Sequence, residues 1–171
     1  MFTATRIALA AVAALTGSAF AAGAFASEAD YLKRFEGSFK GAGKVRTAAD
    51  GSPYNVKCSV SGNATATRIS LDGTCRAMAV VTRKIGADLT VSPDGTYSGV
   101  YTGSKIGPAA VQGRRTGDNV VLTVTWPKPV NGDQKAIMTI SNSGNGFSFA
   151  VDDEATPGGQ VVRMTDVRLV P

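Results

Sequence analysis

Residues Gly37–Val45 read GSFKGAGKV, with three glycines and one aromatic ring, at Gly37, Phe39, Gly41 and Gly43, all on the same parity. Alternate residues of a strand point to opposite faces, so one face of this stretch carries a phenylalanine set among three glycines before it reaches Val45. Glycine weakens a strand interior, and its usual justification there is a sharp bend or the close approach of another backbone. The stretch therefore reads as a curved first strand of a closing sheet, in which Gly41 and Gly43 permit the bend and Phe39 plugs one end.

Outward from this strand the period of the apolar residues is informative. On its N-terminal side Ser27 and Asp30 suit an N-cap with an acidic N3, and Ala29, Leu32 and Phe35 recur at helical spacing up to Gly37, which predicts a short helix. On its C-terminal side the period is two throughout. Alternation predicts strands over Ser38–Thr47, Tyr54–Ser61, Thr67–Ala77, Lys84–Val91, Thr96–Thr102, Ala109–Arg115, Val120–Trp126, Lys135–Ser141, Phe147–Asp152 and Gln160–Val170. Ser92-Pro93-Asp94-Gly95 is a strong turn, Asp72-Gly73 is either a bulge within one long strand or a hairpin turn, and Pro127–Gln134 reads as a loop. Short strands joined by short sequential connections predict an all-β fold, a sandwich or an antiparallel up-and-down β-barrel of about eight to ten strands. The absence of long Greek-key links favours the barrel, which also removes exposed sheet edges.

The chain of 171 residues opens with Arg6, an apolar run from Ile7 to Leu15 and Ala24-Phe25-Ala26 ahead of Ser27. That layout predicts a signal peptide over residues 1–26, cleaved at an A-x-A site, and a periplasmic or secreted protein. Residues 27–171 then form a single domain with 17 basic and 13 acidic residues, a mild net charge of +4. Cys58 and Cys75 are the only cysteines, and in an oxidising compartment they have one pairing, a disulfide.

Several chemistries lack their residues. The chain has no histidine, which excludes Ser-His-acid and Cys-His catalysis and histidine-ligated zinc or haem. No lysine completes S-x-x-K, and the glycine-rich SNSGNGF lies between strands rather than before a helix, so it is no phosphate loop. Asp152-Asp153-Glu154 offers hard oxygen ligands but no EF-hand spacing, and reads as a solvated turn. No catalytic residue, metal or cofactor is expected.

What remains points to binding. In the pairs Lys33-Arg34, Arg83-Lys84 and Arg114-Arg115, those on strands have one member facing inward, and Arg115 is the expected holder of an anionic group. With the aromatic residues Phe39, Tyr97, Tyr101, Trp126, Phe147 and Phe149 it makes up the expected ligand-binding set, the default alternative being that these rings simply fill the barrel's interior. The charges are too dispersed for a nucleic-acid surface. A lipid-embedded barrel would need longer strands and more aromatics, so no stable membrane insertion is expected after signal cleavage.

Gly37, Phe39, Gly41 and Gly43 occupy the places of the G-x-W-x-G-x-G pattern, with Phe39 where the tryptophan stands. The chain thus resembles calycin-type barrels, the lipocalins and the ten-stranded nitrobindin-like proteins. "LDGTCRA" and "GTYSGVY" also resemble small exported proteins of alphaproteobacteria, a likeness that carries no activity. The calycin resemblance implies a barrel closed at one end by Phe39 and open at the other, with a cavity for a small apolar molecule. Nitrobindins hold haem through a histidine, which has no counterpart here. The expected function is a non-enzymatic barrel binding a small hydrophobic or anionic amphipathic ligand. The alternative is a protein-interaction or inhibitor module, contacting an envelope protein through residues 103–108 and 127–134.

Overall fold

The computed structural model describes residues 20–171 apart from residue 79. Helix α1 spans Phe20–Lys33, followed by β1 (Gly37–Val45), β2 (Tyr54–Ala64), β3 (Arg68–Ala77), β4 (Val81–Val91), β5 (Thr96–Thr102), β6 (Ala109–Thr116), β7 (Asn119–Val130), β8 (Asp133–Asn142), β9 (Phe147–Glu154) and β10 (Val161–Val170). Each strand pairs antiparallel with the next, and β10 returns to pair with β1, so the sheet closes as a ten-stranded up-and-down barrel. The expected all-β barrel with a short N-terminal helix is the fold observed.

Closure happens at the stretch GSFKGAGKV. β1 pairs with β2 along its whole length and with β10 from Lys40 to Val45. A Cβ at Gly41 would meet the carbonyl oxygen of Arg168, and one at Gly43 that of Asp166, both on β10. Only glycine lets the first and last strands come this close while the sheet coils inward.

The helix start, the middle of β3 and the β7–β8 connection differ from the sequence reading. The helix begins at Phe20, so Ser27 lies inside it and is no N-cap; the upstream FAAGAFA is rich in alanine, the strongest helix former. Residues 1–19, most of the expected signal peptide, lie outside the described residues. β3 pairs without a register shift on either side, so Asp72-Gly73 forms neither bulge nor turn. The expected loop Pro127–Gln134 is mostly strand: β7 and β8 meet at a two-residue turn, Asn131-Gly132, with φ of 52° and 103°. Positive φ at both turn positions matches the twist of a tight hairpin. The two prolines sit where the β7–β8 register is irregular, between Thr125 and Val130, because neither can donate to the ladder.

Inward side chains pack one half of the barrel solidly. At the end where α1 lies, Tyr31 packs edge-to-face on Phe35, Phe35 on Phe147, and Phe147 on Phe39, with ring centroids 5.4, 5.2 and 5.0 Å apart. Leu32, Phe35, Tyr97, Leu122 and Leu169 are fully buried there and in the layers beneath. The outer face exposes charged side chains on β1 to β4, among them Lys40, Lys57, Asp72, Lys84 and Asp88, and apolar ones such as Val100, Val121 and Ile137 on β5, β7 and β8. No helix among the described residues is long and apolar enough to cross a membrane.

Candidate functional site

The two ends of the barrel are built differently. At the helix end Glu28 reaches into the barrel mouth, where its carboxylate accepts hydrogen bonds from Arg115 Nε at 2.7 Å and from the Tyr97 hydroxyl at 2.6 Å. The Arg115 guanidinium lies over the Tyr31 ring, 4.7 Å from its centroid. The Tyr31 hydroxyl donates to the Asp118 carbonyl at 3.1 Å, and Arg34 pairs with the Asp118 carboxylate at 3.0 Å. Burial raises the phenol pKa values of Tyr31 and Tyr97 well above their ordinary value, and the Glu28 carboxylate adds to the rise at Tyr97. This end is a stopper, pinned by a half-buried ion pair.

At the other end the barrel stays open. A cavity of about 290 Å³ is framed by Val45, Tyr54, Val81 and Thr165, which stand at the strand ends away from α1. Its apolar wall includes Val56, Ala77 and Val167, and its polar side chains include Thr47 and Thr165, Arg83 and Lys105 at the mouth and Tyr101 within. Ile85, Tyr101 and Phe149 also line a smaller apolar gap of about 30 Å³ deeper in, against Val60, Leu71 and Phe147. Burial pushes the Tyr101 phenol up to about 12, with the nearby Arg83 charge opposing the rise. The hydroxyl, protonated at neutral pH as any phenol is, lies beside Gly103, another residue of the cavity lining.

The disulfide forms part of this wall. Cys58 and Cys75 are direct partners in the β2–β3 register, both buried and bonded to each other with Cα atoms 4.0 Å apart, and Cys75 lines the cavity.

The aromatic and basic residues singled out in the sequence divide between the two ends. Tyr101 and Phe149 line the cavity, and Phe147 lines the deeper gap. Trp126 is buried behind Tyr101, ring centroids 6.4 Å apart, and its indole N–H finds no partner. Phe39 and Tyr97 belong to the stoppered end. Arg115 faces inward, but Glu28 holds it at that same end, far from the cavity. The arginine at the mouth is Arg83, placed there because β4 begins at Val81 rather than Lys84 and continues the inward parity of Ile85, Ala87 and Leu89 backwards. Extending that alternation by one further pair is the signal that finds it.

Asp152-Asp153-Glu154 is not a solvated turn. It ends β9, where Asp152 pairs with Arg163 while Asp153 is buried. One Asp153 oxygen accepts from Asn131 Nδ2 at 3.2 Å and the other has no partner, and burial raises the carboxyl pKa. Among the described residues no group of three or more metal-ligating side chains comes together.

No protein-family model and no curated protein matches the chain. Among solved structures it is similar to Rv2717c from M. tuberculosis, with 15% sequence identity, a TM-score of 0.61 and a match covering 82% of this chain and 94% of that one. The two proteins share a barrel. At this identity the likeness extends to the fold and no further.

Proposed function

We propose that the protein is an exported, non-enzymatic barrel of calycin type that holds one small amphipathic molecule. The ligand's apolar body lies among Val56, Ile85, Tyr101 and Phe149, and its anionic end meets Arg83 and Lys105. The observation that carries this reading is the half-filled barrel, with a stoppered end and an apolar cavity of about 290 Å³ at the other. That volume is near the lower limit for small-molecule sites, of the order of 300 Å³, and has room for roughly ten waters. An apolar wall with a few cationic and hydroxyl groups at one side suits a short-chain carboxylate or a similar amphiphile. Export is supported by the leader-like first 26 residues and by the disulfide, a bond that persists in oxidising compartments.

Native mass spectrometry of the purified protein, titrated with a medium-chain fatty acid, tests the proposal. A one-to-one adduct is expected, weakened about tenfold or more by Arg83→Ala, as follows from loss of one charge-assisted hydrogen bond. A protein that carries nothing when isolated and takes up no fatty acid would overturn it.

A further inference from the structure

The cavity rim exposes apolar side chains in a cluster. In the turn between β3 and β4, Met78 is 65% and Val80 85% exposed, with Val81 46% exposed beside them and Tyr54 40% exposed at the start of the neighbouring β2. The other large exposed hydrophobics, such as Val100 and Val161, lie on different strands. Met78 also has a φ of 47°, in the left-handed region that glycine and asparagine enter far more readily. The turn thus holds a large apolar side chain in solvent at some backbone cost.

Charge surrounds this tip. Lys57 and Arg76 are register partners on the outer face and line a groove that runs up to Met78, while Arg83 and Lys105 stand at the cavity mouth. From Gly73 to Ala87 the chain carries Arg76, Arg83 and Lys84 and no carboxylate. Among the described residues, none of Lys57, Arg76, Arg83 and Lys105 forms an ion pair. Asp152 and Asp166 pair with Arg163 on the β9–β10 wall, and Asp50 shares the segment 46–53 with Arg46. Among the other carboxylates at this end, Asp133, Asp153 and Glu154 lie across the barrel from the tip, on β8 and β9.

We infer that the β3–β4 tip docks the barrel, peripherally and reversibly, on an anionic phospholipid bilayer. Met78, Val80 and Val81 enter the boundary between headgroups and acyl chains, and Lys57, Arg76, Arg83 and Lys105 lie against the phosphates. Docked in this way, the mouth of the cavity faces the membrane. The inference stands on exposure and charge at the tip; it shares Arg83 and Lys105 with the proposed ligand site, whereas Lys57 and Arg76 lie outside the cavity.

The experiment uses the full chain with Val80→Trp, so that the reporter sits on the tip itself and lipid contact by the apolar first residues contributes nothing to it. Trp126, buried in the barrel, supplies a constant background measured in the unsubstituted chain. On vesicles of phosphatidylcholine with phosphatidylglycerol, the tip emission shifts to the blue and is quenched by acyl-brominated lipid. The shift is lost on pure phosphatidylcholine, in about 1 M salt where the Debye length falls to about 3 Å, and in the Arg76→Glu/Arg83→Glu background. Unchanged Trp126 emission in that background, without the reporter, shows that the barrel has folded. An emission that does not move on either vesicle overturns the inference, as does an equal shift on both. A blue shift that grows with protein concentration in the absence of lipid also overturns it, by making the tip a contact between copies of the chain.

Discussion

Glu28 presents one carboxylate to two donors that the barrel brings together from strands β5 and β6. Its side chain is 15% exposed and that of Arg115 22%, so removing one partner leaves the other largely without water to replace it. Glu28→Ala is expected to lower the unfolding free energy by about 2 kcal/mol, read as a lower urea midpoint with an unchanged slope. Glu28→Gln, which keeps an acceptor for Tyr97, loses less. Strand parity grouped Tyr97 with Gly99 and Tyr101 and separated Arg115 from Arg114, yet parity says neither which face is inward nor which end is stoppered. The contact that decides it joins residues 87 apart in sequence, and no local pattern reports it.

Among the elements, the β2–β3 hairpin was the most legible. The even cysteine count proposed its staple, and the shared parity of Thr67, Ile69, Leu71, Gly73, Cys75 and Ala77 allowed one long strand, although the bulge or turn expected at Asp72-Gly73 does not form. The disulfide links positions 17 apart, and the chain-entropy model gives a loop of that size about 3 kcal/mol. Replacing both cysteines by serine is expected to lower the melting temperature by roughly 10 °C while the far-UV circular dichroism at room temperature keeps its β signature. The start of β4 and the β7–β8 turn were less legible for opposite reasons. The charges of Arg83 and Lys84 interrupt an apolar alternation that in fact continues, whereas Pro127 and Pro129 suggest a break that the barrel absorbs as a register irregularity.

At the scale of the molecule, the tyrosines inside the barrel couple its stability to pH. Tyr31, Tyr97 and Tyr101 all have pKa values raised by burial above the ordinary 10.0, that of Tyr101 to about 12. Below pH 10 both folded and unfolded chains keep these protons, and the contribution to stability is complete. Above it the unfolded chain releases protons that the folded chain retains, so it binds fewer and stability falls as pH rises towards 12 and beyond. The urea midpoint should therefore drop between pH 9.5 and 11.5, and drop less in Tyr97→Phe, which has one phenol fewer to ionise. Alternation, turn chemistry and composition, which are local or countable properties, sufficed for an all-β chain of about ten sequential strands, for which residues share a face and for the pairing of the cysteines, and they favoured a barrel over a sandwich. Only the tertiary structure decided that Glu28 seals one end, that Arg83 and Tyr101 rather than Arg115 and Tyr97 meet the open cavity, and that Met78 and Val80 stand exposed at its rim. Those outcomes depend on which end the helix packs against, and that is set by contacts between residues far apart in the chain.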